Sequence, residues 1–495
     1  MMNESEILSE YFKQSTTHNF FDQISCESNN FDSMNNEASR RSCAWIPSEQ
    51  TRNLLIQVAT KLNSPSHHTE EIRLTKPKIF LQQSALEDTL AKYVKEEDRV
   101  PLLSMKHVTL DDRGLRELIQ AESYLAAIEL TEKMLSVYSN SNKHTLHSVQ
   151  LWFTRIALLV KANFLVEAYE ESKPWGNFDT PDLYLQYYPT LYGGRIGTMV
   201  PFAFRLLVAE LPQFIKSSDL QDSSMLALDR LFSLLGVIKK ILAHLGSNLS
   251  EDGSMIELSE QDRQESRTLW IERETRVKHS IVNCALNCKN YSLACQLLTQ
   301  LLEQPRQPLS DVEKAILHAA LGRVLLQAGD IQSTKVHFSS SSALLNSATP
   351  STTHSADQIS ALQLQHQINT GLLHVAENNF QLAYDTFDAV SKTLEGKLPG
   401  NSSLEKSYIL VANNKAICLF YLGRLKASIQ VLESLLKYKQ CLLNRHFIAN
   451  LCTMYDLYSV NVVENKLNLV NMINENKLYF NPACLASLKL QPLAM

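Results

Sequence analysis

Three groups of residues in this chain have types and spacings that chemistry could use. Cys284 and Cys288 stand one helical turn apart, and Cys295 follows on the next predicted helix. Thiolates at such spacing can hold zinc, but a closed site takes four ligands, and no second close Cys or His pair accompanies them. Buried cysteines acting as small hydrophobes are the better reading. Gly193, Gly194 and Gly197 sit just before a predicted helix, where glycines can cradle a phosphate. No strand precedes them and no Lys-Ser or Lys-Thr closes the motif, so a turn with unusual backbone angles is preferred to nucleotide binding. His67 and His68 lie side by side in a polar stretch. The chain contains no HExxH, no GxSxG and no kinase signature set. The expectation is a protein that is not an enzyme, with no catalytic residue, no metal site and no cofactor.

The densest chemistry is aromatic. Residues 173–200 carry Trp175, Phe178, Tyr184, Tyr187, Tyr188 and Tyr192. Trp and Tyr dominate the side chains that anchor protein partners, which makes these six the candidate partner-binding residues. The competing reading is an ordered loop folded back onto the chain, filling its own groove with its rings. That reading is preferred, because an ordered loop must bury something. Thr180 and Pro181 mark a helix start, as N-cap and first-turn residue. A peptide groove is a further candidate. Arg323, Asn369, Asn413, Asn414 and Lys415 lie on predicted first helices, though not at the spacing of a two-carboxylate clamp across consecutive repeats.

The elements that position these groups must be helices. Hydrophobic residues make up 44% of the 495 and charged residues 20%, while Gly (14) and Pro (15) are too scarce for a many-stranded fold with its frequent turns. Leu, Ala, Gln, Glu and Lys fill long stretches, and all are good helix formers. The net charge of −5 and the lack of a basic run argue against nucleic acid as a partner. The opening MMNESEILSE has no basic or apolar region, so no secretory leader is expected. The apolar runs over 152–166 and 199–211 are interrupted by Arg155, Lys161 and Arg205, so no membrane span is expected either. Nine cysteines without a disulfide-like framework suit a reducing compartment.

Residues 1–76 read as a disordered polar tail. Within it, TRNLLIQVATKL (51–62) is a short amphipathic piece suited to folding on a partner, and Phe21 with Asp22 and Phe31 with Asp32 resemble short docking motifs. N-terminal helical hairpins are expected over 77–172, where Leu115, Leu118, Ile119, Leu125, Ile128 and Leu135 recur at threes and fours. An aromatic and Gly-rich insertion takes 173–200. A helical segment with a polar loop takes 201–262. Repeats fill 263–445, and capping helices fill 446–495.

The repeats are self-similar. LGRVLLQAGDIQSTKVHF (321–338) sets the pattern, with Gly322 mid-helix, a turn at Gly329 and Phe338 on the next helix. Gly371, Phe380, Ala383 and Phe387 occupy matching places in the next frame, as do Ala416, Gly423 and Leu432 in the one after it. Residues 282–298 give a looser version with Ala294 and Leu298. Glycine within a helix costs roughly 1 kcal/mol relative to alanine, so two in register imply a packing reason. Frames begin near Thr275, Ala315, Leu364 and Ile409, wider apart than the tetratricopeptide period of 34 residues. The expected fold is all-α: a tetratricopeptide-repeat-type α-solenoid with irregular repeat spacing and a disordered N-terminal tail.

With that architecture in place, the chain from Val108 onward resembles the subunit 12 family of the trafficking protein particle (TRAPP) complex. The stretches DDRGLRELIQAESYLAAIELTEKML, LWFTRIALLVKANFLVEAYE, NFDTPDLYLQYYPTLYGGRIGTMVPFAFRLLVAEL and NLCTMYDLYS carry the resemblance, and the ending FNPACLASLKL also fits. The third is the most diagnostic, because no generic repeat array needs it. The resemblance fails in the N-terminal tail, which looks shorter than the long leader of vertebrate relatives. It implies a non-catalytic scaffold or tethering subunit of a TRAPP III-like assembly in endoplasmic reticulum-to-Golgi transport. Its partners would be other TRAPP subunits and, indirectly, a Rab GTPase whose nucleotide exchange they perform. The implied location is cytoplasmic, peripheral at the Golgi and the endoplasmic reticulum-Golgi intermediate compartment. Family members are also associated with a mitotic role. The alternative is a free tetratricopeptide adaptor or co-chaperone.

Overall fold

The computed structural model describes residues 37–61, 108–139, 144–193, 195–215, 220–255, 258–303, 309–348, 356–396, 402–438, 444–458 and 461–475, with single positions 441, 488 and 490. The expected tail up to residue 36 and beyond 61 lies outside them, and with it Phe21, Asp22, Phe31, Asp32, His67 and His68. Among the described residues every regular element is a helix, and the β contact seen is an isolated bridge between Tyr184 and Thr198. The all-α expectation holds. The described residues group into two compact units, one within Ser9–Leu86 and Leu103–Cys288, the other within Lys289–Met495.

Among the described residues, five helical hairpins lying within one unit or the other share one local frame. In the first unit they pair Asp112–Gln120 with Tyr124–Ser139 and Leu146–Lys161 with Leu165–Ser172. In the second they pair Asp311–Ala328 with Ile331–Ser347, Ala356–Ala376 with Phe380–Glu395, and Ser402–Tyr421 with Leu425–Glu433. Each turn holds one residue at positive φ: Glu122 (56°), Asn163 (64°), Gly329 (86°), Asn378 (58°) and Gly423 (75°). The next N–H then reaches back to a carbonyl near the end of the first helix: Ser123 to Leu118, Phe164 to Leu159, Asp330 to Leu325, Asn379 to His374, Arg424 to Leu419. That closure satisfies carbonyls the helix end would leave orphaned. Lys289 (φ 59°), where the second unit begins in the sequence, also takes a left-handed angle.

Five positions past each turn residue comes a small side chain: Ala127, Ala168, Thr334, Ala383 and Ser428, every one at 0% exposure. There the second helix meets the first. In the second unit the facing position on the first helix is also small. A Cβ on Gly322 would stand 2.4 Å from the Phe338 ring, and one on Gly371 would stand 2.6 Å from the Phe387 ring. The glycines therefore exist to admit a phenyl edge, and Ala416 suffices where Leu432 replaces the ring. Where the small residue carries a hydroxyl, it donates to the facing carbonyl, Thr334 to Gly322 at 3.2 Å and Ser428 to Ala416 at 2.7 Å. Phe380 stacks on Tyr421 at 4.5 Å between ring centroids.

Within the second unit each helix packs against its sequence neighbours, as in a repeat array. Its core runs from Ile368 through Phe387, Ala412 and Leu432 into the last two helices, Arg445–Tyr458 and Val462–Glu475, which contribute Leu451, Leu469 and Val470. The first unit also contains two long helices, Leu220–Gly246 and Glu260–Asn287, packed against each other. On the latter, burial and then the neighbouring Lys278 charge push the His279 imidazole down to about 4.

Two outcomes are expected. G371A should lower stability by about 1–3 kcal/mol in urea denaturation, because the added methyl meets the Phe387 ring. Adding F387L should restore part of the loss. For His279, the unfolded chain takes up a proton before the folded one does. Stability should therefore fall as pH drops from about 6.5 toward 4, and H279Q should flatten that part of the profile.

Candidate functional site

The six candidate rings lie in a segment that folds as short turns rather than long helices. It runs through 3-10 turns at Lys173–Trp175, Pro181–Leu183 and Leu185–Tyr187 and a single helical turn at Pro189–Tyr192. Prolines at the first positions of three of these start each turn with a preset φ. Thr180 precedes Pro181 in extended backbone, as expected, but its side chain makes no cap hydrogen bond. The segment closes on itself through Leu185 N–H to the Gly197 carbonyl (2.9 Å) and Met199 N–H to the Leu183 carbonyl (2.8 Å).

Five of the six rings are buried by the chain itself: Trp175, Phe178, Tyr184, Tyr188 and Tyr192. Tyr187 keeps partial exposure. Trp175 is the centre, with ring centroids of Phe204 at 5.2 Å, His144 at 5.4 Å, and Trp152 and Phe178 at 6.0 Å. The Tyr184 hydroxyl donates to Asp179 at 2.9 Å, and burial holds its pKa far above the usual tyrosine range. Most of the apolar area that these rings could offer a partner is taken up internally.

Residues 37–61, placed by sequence in the tail, form part of this site. Glu37–Cys43 and Glu49–Lys61 are helices, so the amphipathic piece folds on its own chain. Trp45 lies between them and is buried. The Arg205 guanidinium stacks over its ring at 4.1 Å and over Phe178 at 5.3 Å, and donates to the Thr198 hydroxyl at 2.9 Å. Arg273 lies over Trp270 at 4.4 Å and Phe202 at 5.0 Å and donates to the Ser42 carbonyl at 3.3 Å. Burial pushes both guanidinium groups down to about 10. The fully buried Arg155 pairs bidentately with Glu171 at 2.7 and 3.0 Å and donates to the Ile128 carbonyl at 2.9 Å. Burial raises the Glu171 carboxyl against the opposing effect of Arg155. In the sequence, Arg155 and Arg205 stand out only as charges inside apolar runs; that was the signal that they are buried, Arg155 against a carboxylate and Arg205 against aromatic rings.

The remaining candidates have structural roles. Gly193 (φ 59°) and Gly197 (φ 136°) take left-handed angles, and a Cβ on Gly197 would stand 2.7 Å from the Cys43 carbonyl oxygen. The glycine turn thus makes room for the N-terminal segment. Cys284 is buried, its thiol pushed up to about 12 and directed at the Ser224 carbonyl. Among the described residues no group of three or more His, Cys, Asp or Glu could hold a metal ion. Arg323, Asn369, Asn413 and Asn414 are buried, and Lys415 pairs with Asp388 at 2.6 Å.

Hairpins with a left-handed turn residue, a buried small residue five positions on and nearest-neighbour packing define an all-α repeat protein of the tetratricopeptide type, irregular in spacing. The comparison with known proteins agrees with the resemblance read from the sequence. The chain is 33% identical over 464 residues to mouse trafficking protein particle complex subunit 12, covering 91% of this chain and 54% of the mouse protein. Against the human subunit 12 it is 33% identical over 467 residues, covering 91% of this chain and 59% of the human protein. The chain is similar to these subunits over nearly its whole length, and spans little more than half of theirs. No family model matches. Among solved structures, the crystal structure of the P58(IPK) TPR domain overlaps 76% of this chain and 94% of its own, with a TM-score of 0.20 and 13% identity. An overlap that weak adds nothing to the fold seen directly.

If the rings serve the core, W175A should cost about 3–5 kcal/mol of stability. Y187A should change stability by no more than about 1 kcal/mol. Equal, small losses in thermal and urea unfolding would contradict this assignment.

Proposed function

We propose that this chain is a non-catalytic scaffold or tethering subunit of a trafficking protein particle complex of the TRAPP III kind. It would act in endoplasmic reticulum-to-Golgi transport, supporting nucleotide exchange on a Rab GTPase that other subunits perform. The observation that carries this reading is the 33% identity to two subunit 12 proteins across 91% of the chain. The architecture supports it: a repeat array builds long surfaces suited to binding several subunits at once. Its place would be cytoplasmic, at the Golgi and the endoplasmic reticulum-Golgi intermediate compartment. No helix among the described residues is long and apolar enough to cross a membrane, so membrane association would come through the complex. A free peptide-binding adaptor is the weaker reading, since Arg323, Asn369 and Asn413 are buried rather than presented along a groove.

Affinity purification of the full chain in mild salt should recover other subunits of the complex in near-stoichiometric yield. Recovery of chaperones or isolated clients alone would sink the proposal.

A further inference from the structure

Residues 37–61 bind the rest of the first unit in the manner of a peptide ligand. Two consecutive arginines enter an acidic pocket. Arg40 pairs with Glu251 at 2.9 Å, and Arg41 pairs with Asp262 at 2.9 Å and with Glu265. The Glu251 side chain is 2% exposed and also accepts from the Ser266 hydroxyl at 2.6 Å. With Arg40 seated on it, the carboxylate is both buried and paired, as a charge taken out of water must be.

Two backbone hydrogen bonds follow. Arg273 donates to the Ser42 carbonyl, and Thr198 N–H donates to the Cys43 carbonyl at 2.8 Å. Trp45 is then the anchor, held against Trp270 with centroids 6.1 Å apart and beneath Arg205. Beyond it, Asp179 accepts from Ser48 N–H at 3.1 Å and caps the start of the next helix, while its carbonyl accepts from Thr51 at 2.9 Å. That helix, Glu49–Lys61, buries only Thr51 and Leu55 and leaves Ile56 55% exposed. A charged pair, one aromatic anchor and a narrow amphipathic stripe make a recognition motif rather than a core layer.

The wall beside the receiving surface has contacts of its own. The Trp175 cluster, the Leu185–Gly197 and Met199–Leu183 hydrogen bonds and the Arg155–Glu171 pair contain no residue of 37–61. We propose that the surface formed by Glu251, Asp262, Glu265, Trp270, Arg205 and Asp179 is a peptide-binding groove, and that its occupant in the isolated chain is this chain's own Arg40–Trp45 motif. The occupant is exchangeable. The groove is thereby masked in cis, and the partner that displaces the segment presents two adjacent basic side chains followed four positions later by an aromatic one. Tethering on the same chain raises the local concentration of the internal copy, so a free peptide competes poorly until the internal copy is weakened.

The test uses the full chain carrying R40A, R41A and W45A together, with hydrogen exchange and a fluorescent synthetic peptide of residues 37–61. In the variant, amide exchange in 48–61 should quicken by about tenfold or more, while 173–210 stays protected. The peptide should bind the variant at least about tenfold more tightly than the wild-type chain, and a peptide carrying W45A should lose that binding. Loss of protection across 173–210, or no peptide binding to a folded variant, would overturn the proposal. If the triple variant fails to fold, R41A alone decides. Faster exchange confined to 37–61 supports exchange of the segment, and faster exchange spread over the unit refutes it. A variant-independent dimer that the peptide dissociates would reassign the occupant to a second copy and overturn the cis assignment.

Discussion

The distance at which two helices pair is the constraint on which this molecule depends. A helix of this size buries its apolar stripe only against a neighbour, and close approach is possible only where side chains are small. The residue five positions past each turn meets that demand in all five hairpins, as Ala, Thr or Ser at 0% exposure. The left-handed residue in each turn fixes where the second helix starts, and hence which residue faces the first helix. Turn geometry and interhelix packing are thus one requirement expressed twice. The same logic explains why Gly322 and Gly371 face phenylalanines while Ala416 faces Leu432.

The first unit solves a second problem, the burial of cations. Arg155 is neutralised by a bidentate carboxylate and also donates to the Ile128 carbonyl, which accepts the Thr131 hydroxyl as well. Arg205 and Arg273 instead spread their charge over aromatic faces, an arrangement worth more where water is excluded. Each of those two also ties a residue of the N-terminal segment in place, Arg205 through the Trp45 ring and Arg273 through the Ser42 carbonyl. The aromatic span, conspicuous as a possible partner surface, therefore works first as the wall on which an internal ligand rests. Gly197, whose extra carbon would strike the Cys43 carbonyl, belongs to the same arrangement.

Much of the repeat was legible from one sequence. Gly322 with Phe338 and Gly371 with Phe387 stand sixteen positions apart in both frames, and local spacing of that kind survives in any single chain. The two N-terminal hairpins were expected as hairpins, but not as members of this frame. Their turn residues are Glu122 and Asn163 rather than glycine, and Leu115 and Ile156 stand where the second unit has glycine or alanine. Their buried Ala127 and Ala168 were the signal that could have shown the shared frame.

The sequence by itself determined the helical class, the positions of the turns and the crowding of six rings into one short span. Those properties are local, set by backbone preferences and by the period of apolar residues. Tertiary structure alone decided which way the rings face and that Arg40, Arg41 and Trp45 belong to the folded unit. Arg40 meets Glu251 across 211 residues and Ser48 meets Asp179 across 131. Contacts of that range depend on how distant helices stack, and no spacing within a window of sequence carries them.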